Sequence, residues 1–238
     1  MMLREITDLL DAVPYEDAPK PVYRDAILEN NVLGKRTTAT RRESYERLGR
    51  LYALDPGVTL FRLLRFFWQR DLDGRPMLAL LCAVARDPLL RMTVDTVLKT
   101  PRNELLSIDA MEEAIARGAP GRFNEPTRFK IARNAAASWT HAGYLQGHRR
   151  KLRVRPHVTS GMLTYALVLG YLTGASGQML LSTLWTRLLD APQDQLTLLA
   201  ADASARGWIA YRQSGQVLEV RFPQLLTAEE REARCEPD

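Results

Sequence analysis

Few residues in this 238-residue chain have the types and spacing needed for catalysis or metal binding. The side chains best suited to such chemistry are three histidines and two cysteines: His141, His148, His157, Cys82 and Cys235. The histidines lie in or beside one basic segment, the cysteines lie far apart, and no zinc-ligand spacing occurs. There is also no glycine-rich loop that ends in Lys-Ser or Lys-Thr to bind phosphate. We therefore predict no catalytic residue, no metal and no cofactor.

The feature that does stand out is a run of positive charge. The stretch "YLQGHRRKLRVRP" covers Tyr144 to Pro156, and the region from Thr127 to Arg155 contains eight Arg or Lys and no Asp or Glu. The whole chain has a formal net charge of only +5. Crowded like charges repel one another unless an anion neutralises them, and guanidinium groups form paired contacts with phosphate. This basic segment indicates an anionic polymer as partner.

A helix predicted at about residues 125–142, with Asn124 as N-cap, divides its side chains between two faces. One face is predicted to pack on the protein: Phe129, Ala132, Ala136 and Trp139. The opposite face carries Lys130, Arg133, Asn134, Ala137 and His141. Two cations, an amide and a small side chain are suited to a helix that lies in the major groove of DNA.

Two short strands are predicted on either side of Gly147-His148, after this helix. Their cations are Arg149, Arg150 and Lys151 at the turn, with Arg153 and Arg155 alternating along the second strand. A basic hairpin beside a recognition helix can bind backbone phosphates. We predict that these five residues contact DNA, together with Lys130, Arg133 and Asn134.

A second basic patch lies in "GKRTTATRR". Its cations, Lys35, Arg36, Arg41 and Arg42, surround the start of a helix that Thr37 is predicted to cap. Exposed N–H groups at a helix start attract phosphate. The competing interpretation is an ordinary helix start whose cations form ion pairs within the protein.

The pattern of apolar residues predicts a mostly α fold: a helical bundle with winged-helix-like units that carry short β-hairpins. Helices are predicted at roughly residues 2–12, 22–30, 38–53, 58–70, 76–86, 88–99, 108–117 and 125–142, and then at 158–173, 177–190 and 194–206. A second hairpin is predicted around Ser214-Gly215. Helices followed by a hairpin are the order found in winged-helix modules.

The predicted domain organisation follows from these elements. Residues 1–104 form the N-terminal bundle, 105–157 the basic winged-helix-like unit and 158–226 a three-helix unit with a hairpin, while 227–238 form a frayed or disordered tail.

Between Arg155 and Arg187 there is no formal charge, yet "TGASGQ" interrupts the run. Because a membrane span needs roughly 20 apolar residues, we interpret this run as two buried helices. The N-terminus does not have the pattern of a signal peptide, and we predict a cytoplasmic protein without a membrane partner.

The stretches "NNVLGKRTTATRRESYERLGRLY" and "RFKIARNAAASWTHAGYL" resemble the BrxA family of bacteriophage-exclusion (BREX) defence systems. The resemblance covers about residues 25–190, and the C-terminal hairpin lies outside it. It implies a small, mostly helical, non-enzymatic DNA-binding component that acts with other defence proteins.

The sequence thus predicts a protein that binds double-stranded DNA, mainly through the phosphate backbone. Two alternatives stay open. One is a protein-interaction adaptor whose basic face binds an acidic partner, and the other is an RNA-binding protein.

Overall fold

The computed structural model describes residues 1–215 and 217–232, and its fold is mostly α, as predicted. The described residues form thirteen α-helices, one 3₁₀ helix and two small antiparallel hairpins. They divide into two compact units. Unit 1 comprises residues 1–66 and 79–155, and unit 2 comprises residues 67–78 and 156–238 as far as they are described.

Unit 1 contains the N-terminal helices and the basic segment. Its helices are α1 (Leu3–Ala12), α2 (Lys20–Leu28), α3 (Thr38–Tyr52), α6 (Pro88–Met92), α7 (Val94–Lys99), α8 (Ile108–Gly118) and α9 (Glu125–His141). The boundary between the units falls within α4 (Thr59–Arg70) and α5 (Arg75–Arg86). Strands β1 (Leu145–Gln146) and β2 (Leu152–Arg153) pair in antiparallel register, with Leu145 opposite Arg153.

The predicted single helix at 88–99 is divided into α6 and α7 at Thr93. The Thr93 side chain is buried, donates a hydrogen bond to the Leu90 carbonyl and accepts one from the Trp139 indole at 2.9 Å. A buried indole N–H needs an acceptor, and the Thr93 hydroxyl provides one for Trp139, the largest side chain of α9.

Residues 105–155 belong to the same compact unit as residues 1–66 and 79–104, so the compact units do not follow the predicted division at residue 104. The Asn103 amide donates to the Arg153 carbonyl and the Arg153 amide donates to the Glu104 carbonyl, each at 2.8 Å. A bridge between Leu105 and Leu152 extends this pairing. The predicted order of helix, helix and hairpin is present here as α8, α9 and β1–β2, and the winged-helix assignment itself stays a prediction.

Unit 2 contains most of the uncharged run. Its elements after the boundary are α10 (Ser160–Leu172), a 3₁₀ helix (Gly177–Ser182), α11 (Leu184–Arg187), α12 (Gln193–Ala205), β3 (Ala210–Ser214), β4 (Val217–Arg221) and α13 (Ala228–Glu232). The predicted helix at 177–190 is wrong. Extended backbone at Thr183 separates the 3₁₀ helix from α11, which Thr183 caps by accepting from the Thr186 amide.

Helix α10 is buried along most of its length, from Ser160 to Gly170, which explains the lack of charge in its sequence. In the part of the chain that the structure describes, no helix has both the length and the apolar character required to cross a membrane. The predicted C-terminal tail begins as α13, and its last six positions, 233–238, lie outside the described residues.

Candidate nucleic-acid interface

Helix α9 is held in place by a cap and by a buried stripe. The Asn124 side chain accepts from the Thr127 amide at 3.0 Å, as the sequence predicted for an N-cap. The buried positions are Ala132, Ala135, Ala136, Ser138 and Trp139. The Trp139 ring meets the Tyr144 ring edge to face, with 4.9 Å between centroids. These contacts fix which face of α9 points to solvent.

The solvent face of α9 carries the predicted polar residues. Lys130, Arg133 and Asn134 are all exposed. The prediction that Phe129 packs inward is wrong, because its side chain is 42% exposed and the Arg133 guanidinium lies 5.9 Å from its ring centroid. The buried stripe starts one turn later, at Ala132. Phe129 therefore adds an aromatic surface to the cationic face.

The tip of the first hairpin is a tight turn that presents two arginines. Gly147 has φ +96°, and a Cβ at this position would collide with the Arg150 carbonyl oxygen. The Lys151 ammonium donates to the Gly147 carbonyl at 2.9 Å and helps to close the turn. Arg149 and Arg150 are exposed at this tip.

The prediction that Arg153 is an exposed DNA contact is wrong. Its side chain is 2% exposed and donates to the Val97 carbonyl at 3.1 Å, to the Tyr144 carbonyl at 3.5 Å and to the Val154 carbonyl. Its guanidinium lies 4.9 Å from the Tyr144 ring centroid. The prediction assumed that the strand continues through Arg155, so that both arginine side chains point to the same exposed face. Strand β2 instead ends at Arg153, and of the two arginines only Arg155 is exposed. Arg153 is therefore a structural residue that joins the hairpin to α7.

The second basic patch is smaller than the sequence predicted. The Lys35 ammonium forms an ion pair with Glu5 at 2.9 Å, and Arg41 donates to the Leu28 carbonyl at 2.8 Å. Both side chains are half-buried, so they serve the fold rather than an outside partner. Arg36 and Arg42 are exposed and remain available.

The helix start within this patch is capped by its own side chains. Thr37 and Thr40 form a reciprocal capping box, in which the Thr37 hydroxyl accepts from the Thr40 amide at 3.2 Å. This confirms Thr37 as the N-cap. It also satisfies one of the N–H groups that the phosphate hypothesis required to be free.

His141 lies in the last turn of α9, beside the basic segment. Partial burial lowers the pKa of His141, and the nearby Met1 amino group and Lys151 lower it further. The lowered pKa keeps this imidazole neutral at neutral pH.

Three arginines that line a cleft beside α9 were not predicted from the sequence. Arg47 and Arg50 on α3 and Arg86 at the end of α5 line a cleft together with Asn134 and His141. These residues come from segments far apart in the chain, so no local pattern identifies them as neighbours. Asn134 and His141 therefore form one wall of a concave site.

Among the described residues, no group of three His, Cys, Asp or Glu side chains is placed to hold a metal ion. Cys82 is buried and Cys235 lies outside the described residues. Comparison of the chain with protein-family models, with curated proteins and with solved structures finds no match.

Proposed function

We propose that this protein is a non-enzymatic component that binds double-stranded DNA, mainly through the phosphate backbone. The observation that carries the proposal is the group of exposed cations in an acid-free segment of unit 1. They are Lys130, Arg133, Arg149, Arg150 and Arg155. Phosphate contacts from such residues provide most of the affinity of sequence-independent DNA binding.

Within this surface, the two parts have different roles. The arginines at the hairpin tip sit on a short loop and contact phosphates. Lys130, Arg133 and Asn134 sit on a rigid helix face and are placed to reach base edges, with Arg36 and Arg42 as additional backbone contacts. The resemblance of the sequence to the BrxA family supports a place in a BREX-type phage-defence assembly, in the cytoplasm and with other defence proteins as partners.

The test is a competition experiment with a labelled duplex of mixed sequence. Fluorescence anisotropy gives the affinity, and unlabelled duplex, single strand and structured RNA of equal length compete for the protein. The proposal expects duplex DNA of unrelated sequence to compete best. Preferential competition by structured RNA would assign the surface to RNA, and no binding of any nucleic acid at low salt would favour a protein adaptor.

A further inference from the structure

Unit 1 contains a cleft of about 840 Å³ between α3, the junction of α5 and α6, and α9. This volume is in the range of small-molecule sites. Its apolar lining includes Leu51 from α3, Leu89 and Leu90 from α6, and Ile131 and Ala135 from α9. Three elements that are distant in sequence thus build one concave apolar surface.

The edge of the cleft carries more positive than negative charge. Arg47 bonds to Glu43 at 2.5 Å, and Arg86 is fixed by the Arg50 carbonyl at 2.9 Å. The exposed side chain of Arg50 has no hydrogen bond or ion pair within the described part of the chain. The Arg50 guanidinium is therefore the group best placed to bind an anion, with Arg47 beside it on α3.

The acidic side chain at the cleft is already engaged. The Asp87 carboxylate accepts from the Leu89 amide at 2.9 Å and from the Leu90 amide at 3.4 Å, and so caps α6. These hydrogen bonds hold the carboxylate against the helix start. An anion in the cleft therefore meets a fixed negative charge that two amide donors partly offset.

The α9 wall supplies a group that can recognise a heterocycle. Asn134 is exposed, and its side-chain amide makes no hydrogen bond to the residues that the structure describes. A side-chain amide offers a donor and an acceptor side by side, which matches the edge of an adenine base. The Asn134 amide and the Arg50 guanidinium line the same cleft, with apolar side chains also in its lining.

We propose that this cleft binds a mononucleotide, with its phosphate at Arg50 and Arg47, its base over the apolar surface and the base edge at Asn134. The proposal does not rest on DNA binding, because its phosphate site at Arg50 and Arg47 lies outside the acid-free segment, and Asn134 is the one residue that it shares with the proposed DNA surface. A free nucleotide and the phosphorylated end of a strand share this chemistry.

Isothermal titration of the full chain with AMP, adenosine and inorganic phosphate tests the proposal. AMP should bind saturably. Adenosine should bind at least about tenfold more weakly because it lacks the hydrogen-bonded charge pair, and phosphate should bind at least about tenfold more weakly because it lacks the base that contacts the apolar surface and Asn134. Arg50→Ala should reduce AMP affinity towards that of adenosine, with Arg47 retaining part of the phosphate contact, and Asn134→Ala should reduce AMP affinity but leave phosphate binding unchanged. Arg117→Ala removes an exposed arginine elsewhere and should bind AMP as the wild type does.

Several results would overturn the proposal. The first is AMP binding that does not saturate at millimolar concentration, and the second is equal affinity for AMP and adenosine. The third is unchanged AMP affinity in Arg50→Ala. The last is tighter binding of octanoate, an anion with an apolar chain and no base, than of AMP. A 5′-phosphorylated tetradeoxyadenylate, titrated into the Arg149→Ala/Arg150→Ala variant, distinguishes the two sources of ligand. Weaker binding of this oligonucleotide than of AMP assigns the site to free nucleotides, and tighter binding assigns it to strand ends. Duplex binding is measured in a parallel titration. A protein that does not bind duplex DNA would contradict the proposed function but would leave the results with AMP and the oligonucleotide unaffected.

Discussion

Replacing Arg153 by methionine separates a structural role of this arginine from a role in DNA contact. Methionine retains much of the side-chain length but donates no hydrogen bond. The carbonyl oxygens of Val97 and Val154 lose their charged donor, whereas the Tyr144 carbonyl keeps the Val154 amide at 2.8 Å. The substitution therefore leaves the buried Val97 carbonyl and the partly buried Val154 carbonyl without this partner.

Each buried acceptor without a partner costs about 1–3 kcal/mol. Part of this cost is offset, because the variant no longer desolvates a cation. We expect Arg153→Met to lower the free energy of unfolding by about 3 kcal/mol, which is a large fraction of the stability of a typical domain. The structure predicts this loss even though the sequence pattern groups Arg153 with the exposed cations.

The assay is urea denaturation, followed by circular dichroism, together with duplex binding at several salt concentrations. Arg155→Met is the matched control, because Arg155 is exposed two residues away. The control should change stability by less than about 0.5 kcal/mol. It should also reduce the dependence of log affinity on log salt by about 0.9. An Arg153→Met variant with unchanged stability and a smaller salt dependence would refute the assignment of Arg153 to the fold.

Two further predictions concern the hairpin turn and the N-terminal ion pair. Gly147→Ala should weaken duplex binding and should lower the thermal stability more than Gly121→Ala does. Both glycines have positive φ, which costs alanine about 1–2 kcal/mol, but only at Gly147 would the new Cβ collide with backbone. Equal losses of stability in the two variants would contradict this. Burial opposes ionisation of Glu5, but the hydrogen bond and charge of Lys35 outweigh it and lower the pKa of this carboxyl from its usual value of 4.5. The ionised carboxylate therefore stabilises the fold above that value, and the stabilisation is lost as pH falls through the lower pKa of the folded state. Unfolding measured between pH 2 and 6 should show a smaller loss of stability on acidification for Glu5→Gln than for the wild type, and equal losses would contradict the role of the ion pair.

Features set by neighbouring residues were predictable from the sequence. Thr37 and Asn124 are N-caps because their side chains bond to amides three residues later, within reach of any local pattern. The exposed face of α9 follows from helical periodicity, which fixes Lys130 and Arg133 on the side away from Trp139. The sequence therefore predicted both the position and the orientation of the main cationic element.

Features set by distant residues were not predictable in this way. Lys35 is paired by Glu5, thirty positions earlier, and Arg153 bonds to a carbonyl fifty-six positions earlier. A charge pattern cannot distinguish a cation that meets such a partner from one that faces solvent. The same limit applies to the cleft, since Arg50 of α3 and Asn134 of α9 line one site only in the folded chain.

The proposed function requires that Arg149 and Arg150 at the hairpin tip bind DNA phosphates. The most direct test is the salt dependence of duplex affinity for the wild type and for Arg149→Ala/Arg150→Ala. The control Arg4→Ala/Arg117→Ala also removes two positive charges, but from exposed, ion-paired sites outside the acid-free segment. If the tip binds phosphates, the tip variant should lose affinity for every duplex and its slope of log affinity against log salt should fall by about 1.8, while the control keeps the wild-type slope. A folded tip variant with the affinity and slope of the wild type would contradict the claim.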